Sequence, residues 1–306
     1  MTNVQKNQIV DAIQREIGAL GSGNKVSVKC EVSNATISNM INGKWELIKT
    51  EMWMQVASKL NVHFSGWQIA ETTNFKMMWG VLNDAKEHSL FIPVAFIAGS
   101  GKTTGVDEFA KAHSESVYVL KADEWAKREF LTALALTLGI EPPKGGLSVS
   151  QIGVRISNFF NERAFTKPLL VIDEFKKLKA PAKRWIISFF NRIEDKAGLV
   201  VVGTEDLEEE IKRGVRLKME GYDELESRLG RNYVKLFGAT LNDVELICKA
   251  NGINEREKAA EIFTECKPVA VVYEDKKTKS KQTLKVVQDM RRVKRVIKRE
   301  LLTQTV

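Results

Sequence analysis

The stretch Ile92-Pro-Val-Ala-Phe-Ile-Ala-Gly-Ser-Gly101-Lys102-Thr103-Thr104 decides the fold. An apolar, strand-like run ends in four small residues, Ala98, Gly99, Ser100 and Gly101, then meets Lys102, Thr103 and Thr104 and opens into a helical pattern. Backbone N–H groups of such a loop, at the positive end of a helix dipole, wrap a triphosphate such as that of ATP. Lys102 is expected to reach the β- and γ-phosphates and Thr103 to hold Mg²⁺. The spacing G-x-x-x-x-G-K-[ST] puts its first glycine at position 96, which here is Phe96. The loop must therefore turn without a left-handed residue at its entry, unless Gly99 takes that role.

A second motif lies about seventy residues on. Lys167-Pro-Leu-Leu-Val-Ile-Asp173-Glu174 is an apolar run ending in two carboxylates, as a buried parallel strand does when its carboxyl end reaches a nucleotide crevice. Asp173 is expected in the Mg²⁺ shell. Glu174 is expected to orient and deprotonate an attacking water, because phosphoryl transfer needs positioning and charge neutralisation above all. The strand Leu199 to Val202 ends in Gly203, Thr204 and Glu205, so Thr204 falls where it would contact the γ-phosphate or the water, cap the next helix, or do both.

Length and composition bound the rest. A chain of 306 residues suggests about two domains and an ample core. No apolar run approaches the roughly 20 residues of a membrane span, and the first residues lack a signal peptide's apolar region, so a cytoplasmic protein of a bacterial or phage-infected cell, with no membrane partner, is expected. Cys30, Cys248 and Cys266 are scattered, which supports neither a disulfide framework nor a zinc cluster. His63, His88 and His113 stand alone and read as surface or packing residues. The net charge of +8 favours polyanions such as nucleic acid, and from Asp275 to Arg299 there are eleven Lys or Arg against two Asp. That concentration would face phosphates or simply solvate a helix.

Residues 1 to about 70 read as a small helical unit. Two short helices joined at Val32-Ser33, with Ser33 as N-cap and Ile37, Met40 and Ile41 inward, leave Asn34, Thr36, Ser38, Asn39 and Lys44 on the other face. Those are short donors and acceptors suited to base edges and phosphates. The stretch resembles the helix-turn-helix of phage repressors, with Asn42-Gly43 at the turn that often ends the recognition helix and Glu31 where many members have glycine. A helical bundle for protein contacts is the other reading. Trp45, Trp53 and Trp67 are expected in cores. After a polar boundary at 70–74, helices are expected over 75–86, 104–113, 125–138, 149–160 and 181–192. They alternate with strands at 92–96, 117–120, 168–173 and 199–202, and Pro142 to Gly146 reads as a turn. That alternation predicts a parallel sheet covered on both faces. From Thr240 on the pattern is helical apart from Val269 to Tyr273, and Lys276 to Lys281 reads as a charged loop.

The order of parts resembles an AAA+ ATPase: P-loop, Asp-Glu strand, polar-ended strand, Ser227-Arg228 at a helix end, then a helical lid. The resemblance implies that Thr204 is a sensor of the γ-phosphate, that Arg228 is an arginine finger reaching a neighbouring subunit, and that Arg291 is a lid arginine. A repressor-like unit ahead of a compact AAA+ module is similar to the MuB-type target-DNA activators of phage Mu and related transposons. For that family the implied behaviour is ATP-driven assembly of homo-oligomeric filaments on non-specific double-stranded DNA, stimulation of a partner transposase, and hydrolysis-coupled release. Helicase loaders and replication initiators share the same motifs, and a nucleotide-switched DNA-binding regulator is a further alternative. The expected organisation is therefore an α/β P-loop AAA+ parallel sheet over 71–238, a helical, basic lid over 239–306 and a small all-α helix-turn-helix domain over 1–70. DNA contacts are expected from Lys121, Lys127 and Arg128 after the second strand and from Lys176, Lys177, Lys179, Lys183 and Arg184 after the Asp173-Glu174 strand, as groups near strand ends, each alone being better read as a solvated lysine or arginine.

Overall fold

The computed structural model describes residues 1, 3–62, 66–141, 148–274 and 281–303. The expectations for His63, for the turn at Pro142 to Gly146 and for residues 276–280 of the charged loop lie outside them. Four parallel strands, β1 (Phe91–Ala95), β2 (Val117–Lys121), β3 (Leu169–Asp173) and β4 (Gly198–Gly203), are ordered β1-β4-β3-β2. β3 and β4 are buried throughout, which explains their unbroken apolar sequences. Outside β1 the ladder continues for a single residue. Ala95 N–H donates to Val234 O at 3.1 Å and Val234 N–H to Pro93 O at 2.9 Å. Ala95 donates toward this edge, so Pro93, two residues earlier, turns its missing donor the same way, where a strand tolerates proline.

The register sets Val94 beside Val202, Ala95 beside Gly203, and Lys121 beside Asp173. All four carboxyl ends thus finish along one rim. Helices cover both faces: α5 (Thr73–Glu87) and α6 (Lys102–Ala112) on one, α7 (Lys127–Thr137), α8 (Val149–Glu162) and α9 (Ala180–Ile193) on the other. α10 (Glu205–Arg216) follows β4, and α11 (Tyr222–Arg228) packs against α9 and α10.

The N-terminal unit is α1 (Asn3–Leu20), α2 (Gly23–Cys30), α3 (Asn34–Ile41) and α4 (Thr50–Lys59). Ser33 accepts from Thr36 N–H at 3.1 Å, and Ile37 and Met40 are buried. Glu31, where a glycine was the expectation, takes that residue's left-handed backbone (φ 55°). Trp53 is buried, and Trp45 meets it edge-on at 5.8 Å while donating to Met40 O. The unit's apolar residues run on into the α7–α9 side of the sheet, where Tyr118 Oη donates to Ala19 O at 3.3 Å.

The C-terminal part holds α12 (Leu241–Ala250), α13 (Arg256–Glu265) and α14 (Met290–Thr303) around a separate core. Val269 to Tyr273 does form a strand, but as β5 (Val269–Glu274) in an antiparallel hairpin with β6 (Lys281–Val286), apart from the main sheet. Among the described residues this part, expected to be helical apart from Val269 to Tyr273, holds three helices and the hairpin. Trp67 and Ala70 pack on this core rather than on the N-terminal one. Gln68 and Asn251 exchange two hydrogen bonds, at 2.9 and 3.0 Å, so the segment before α5 is fastened to the lid.

Candidate nucleotide site

At the rim, α6 starts at Lys102, with Gly99 (φ 81°) and Gly101 (φ 91°) supplying the left-handed backbone of the loop before it. Gly99 takes the role that position 96 leaves open. Phe96 instead packs in the core, 7% exposed, and offers only its carbonyl. Lys102, 8% exposed, donates to Phe96 O and Ile97 O, both at 2.7 Å, and to Ser100 Oγ at 3.3 Å. Burial pushes its pKa below the ordinary lysine value, with Asp173 and Glu174 pulling the other way.

β4 lies between β1 and β3, so Gly203 and Thr204 stand between the loop and Asp173. Thr103 Oγ1 donates to Asp173 Oδ2 at 2.7 Å, and the other carboxylate oxygen accepts Glu174 N–H at 2.8 Å. Glu174 is half-buried and held in the left-handed region (φ 55°), a conformation that costs a glutamate energy and is concentrated at functional sites. Thr204 precedes α10 without a side-chain capping bond, which leaves its hydroxyl to the cleft.

These residues line one cleft of about 860 Å³, with Ala98 to Thr104, Asp173, Glu174, Thr204 and Arg291 all on its wall. The volume suits a nucleotide. The donor set fits Mg²⁺: one carboxylate and one hydroxyl, hard oxygen ligands in contact, with the remaining positions left to phosphate and water. Among the described residues no cluster of three His, Cys, Asp or Glu would hold a metal without that phosphate. When bound, Mg²⁺ neutralises phosphate charge. Loop amides would bind phosphate with Lys102 as the cation, Thr103 and Asp173 would hold the metal, and Glu174 would take a proton from water.

The cleft also has walls that sequence reasoning missed. Trp67, Gln68, Ile69, Ala70, Thr72 and Phe75 enter from the segment before and at the start of α5, and Met290 and Lys294 from α14. Trp67, expected in a core, packs on the C-terminal core but is half-buried and also faces the cleft, with Lys294 Nζ 5.2 Å from its ring centre. That segment lacks helical or strand periodicity, so no local signal marked it.

Other candidates lie elsewhere. Arg228 does not line this cleft: its guanidinium rests 4.8 Å from the Phe190 ring, near Glu224. Lys183 is corrected outright. It is 2% exposed on the inward face of α9 and paired with Glu210 at 2.5 Å, so it is closed to DNA. Lys176, Lys177 and Lys179 are exposed, Lys176 being bridged to Asp206 and Arg184 lying near Glu220. Lys121 and Arg128 are exposed and Lys127 half-buried. On α3, Asn34, Ser38 and the following Lys44 are exposed and Asn39 is half-buried. Thr36 turns inward, its hydroxyl 2.8 Å from Ser33 Oγ and near Met52 Sδ, and leaves the polar face.

Parts of the chain are similar to known proteins. A family model described as an AAA domain matches residues 88–211. The chain is 27% identical over 199 residues to the Mu-like prophage FluMu DNA transposition protein B of Haemophilus influenzae, covering 63% of this chain and 64% of that protein. Among solved structures, Cdc6p from Pyrobaculum aerophilum shares 16% identity over 64% of this chain and 52% of that one, with a TM-score of 0.46. The Orc1 protein of Aeropyrum pernix, solved with DNA, shares 15% over 65% and 55%, with a TM-score of 0.42. This chain thus spans under two thirds of the length of each. Residues 88–211, with the P-loop and the Thr103–Asp173 pair among them, are similar to an AAA domain, and the chain resembles a Mu-like DNA transposition protein B.

Proposed function

We propose that the chain hydrolyses ATP, assembles with further copies on duplex DNA of any sequence, and presents that DNA to a transposase. The observation that carries this reading is a cleft that brings Lys102, Thr103, Asp173, Glu174 and Thr204 together, in a chain similar to a DNA transposition protein. In this reading Glu174 deprotonates the attacking water, Thr204 holds it against the γ-phosphate, and Arg291 steadies the phosphates from the lid. Arg228, remote from its own cleft, serves the cleft of a neighbouring copy, where a cation supplied in trans is worth about 10³ to 10⁵ in rate. Hydrolysis then depends on assembly, and DNA that promotes assembly stimulates it.

DNA would meet Asn34, Ser38, Asn39 and Lys44 of the N-terminal unit, a helix-turn-helix in this reading, and the exposed Lys121, Arg128, Lys176, Lys177 and Lys179 with the half-buried Lys127 near the sheet rim. Each subunit would add phosphate contacts without base preference. The domain division at residues 70 and 238 follows from the same reading.

The test is binding to random-sequence duplex DNA with Mg–ATP, Mg–ADP or no nucleotide, read by fluorescence anisotropy and negative-stain imaging. Cooperative filaments formed with ATP alone support the proposal. Discrete complexes on one preferred site, indifferent to nucleotide, overturn it in favour of a regulator, and stimulation of a helicase rather than a transposase overturns it in favour of a loader.

A further inference from the structure

Asn74 is a buried polar residue for which the hydrolytic reading has no use. It is 3% exposed, at the start of α5. Its Nδ2 donates to Ser100 O at 3.0 Å, inside the P-loop. Its Oδ1 accepts Phe237 N–H at 2.8 Å and Gly238 N–H at 3.0 Å. The partners fix the amide's orientation, since a carbonyl needs a donor and two N–H groups need an acceptor. Aspartate lacks the donor, alanine lacks both, and glutamine is one methylene too long.

Phe237 and Gly238 are where the chain leaves the sheet for the lid. Gly238 has φ 115°, and a Cβ there would stand 2.9 Å from Val286. The next residue, Ala239, exchanges two backbone hydrogen bonds with Val287, on the returning chain, at 2.7 and 2.8 Å. Two residues beyond Val287, Asp289 sits so close to Gly99 that a Cβ on the glycine would come within 2.3 Å of its carboxylate, and Met290 N–H donates to Gly99 O at 2.8 Å. Among the described residues the lid is therefore tied to the P-loop on its return, through Asp289 and Met290 directly, and at its departure, through the Asn74 side chain.

We propose that Asn74 is a positioning residue that couples the P-loop to the lid's pivot. Phosphate binding that shifts the Ser100 carbonyl moves the Asn74 amide and, through it, Phe237 and Gly238. This rests on reading the cleft as an ATP site, and its failure is separable from failure of that reading.

The experiment uses the full chain and a non-hydrolysable Mg–ATP analogue, with amide hydrogen exchange followed at residues 237–241 and analogue affinity measured alongside. In the wild type, exchange at the pivot should change about tenfold on binding. Analogue binding without that change overturns the coupling alone. Failure to bind any adenine nucleotide overturns the ATP reading and the coupling with it. Asn74→Asp keeps the acceptor for the two pivot amides and loses the donor to Ser100. It should melt lower than the wild type, because a buried carboxylate oxygen then faces the Ser100 carbonyl, and where folded it should bind analogue, lose the pivot response, and lower kcat about tenfold with KM little changed. A folded Asn74→Asp protein with a wild-type pivot response overturns the proposal. Should that variant fail to fold, Asn74→Gln, which keeps donor and acceptor but displaces them by one methylene, takes its place, and a wild-type pivot response in it likewise overturns the proposal.

Discussion

Lys102 and Lys183 are both almost wholly buried, at 8% and 2% exposure, and both have their pKa pushed down by burial. What answers their charge differs. Lys183 has a carboxylate of its own, Glu210, at 2.5 Å, so the pair is closed. Lys102 has carbonyl and hydroxyl oxygens at hydrogen-bond distance but, among the described residues, no carboxylate within salt-bridge reach, and it opens on a nucleotide-sized cleft. A buried cation becomes a ligand site when the chain withholds the matching anion and leaves room for one.

The sharpest way to break this contrast is to remove chemistry from the cleft while keeping its cation. Glu174→Gln should retain ATP affinity and lower kcat by about 10² to 10⁴, the usual range for a lost general base. Steady-state hydrolysis beside fluorescent-nucleotide titration checks it, and near-wild-type turnover would take Glu174 out of the mechanism. Lys102→Ala should come next in size and act on binding. Loss of charge-assisted hydrogen bonds of about 1.5–3 kcal/mol corresponds to a fall in ATP affinity of about 10- to 100-fold. The wild type should also lose affinity as pH rises. A lowered lysine pKa means that the ammonium is deprotonated at a lower pH than an exposed lysine, so the decline should begin below the ordinary lysine pKa of 10.5. Affinity that stays flat up to that value would show that Lys102 keeps its proton, contrary to its burial.

The contrast between the lysines also marks how far the sequence could be read. Lys102 was legible because its role is set by neighbours in the chain, the loop glycines and Thr103, and Asp173 because an apolar strand leads to it. Lys183 was misread because its partner Glu210 lies 27 residues away on another helix, and an exposed and an inward position on α9 differ by one residue. The same reason hid Asn74, whose partners Ser100, Phe237 and Gly238 are 26, 163 and 164 residues away. The parallel sheet was legible from its buried strands. The β5–β6 hairpin was half legible: β5 reads as a strand, but β6, Lys281 to Val286, is mostly exposed, and Leu284 and Val286 are too short an alternation to announce it.

Breaking the closed pair should cost stability and nothing at the cleft. Glu210→Ala leaves the Lys183 ammonium buried without its partner. Removing one member of a buried pair costs about 3–5 kcal/mol, and because Glu210 is 32% exposed, water screens part of this and about 2 kcal/mol is expected. That is a fall in Tm of about 4–8 °C, measured by circular dichroism or calorimetry, with ATP affinity unchanged. An unaltered Tm would mean that water already reaches Lys183.

The smallest effect is expected from lysines that are neither buried nor closed. Lys177 and Lys179 are exposed beside the rim, while Lys183 follows them by only a few residues. Replacing Lys177 or Lys179 by alanine should leave Tm and hydrolysis without DNA unchanged. Each should flatten the log–log dependence of DNA affinity on salt by about 0.9, the value of one neutralised phosphate. Lys183→Ala should leave that slope where it was, because its ammonium is already neutralised inside the protein. Titrations at several salt concentrations therefore turn a distinction drawn from burial into a count of phosphate contacts. A change in slope for Lys183→Ala, or none for either exposed lysine, would move the DNA path away from this rim and onto the N-terminal unit or the basic α14.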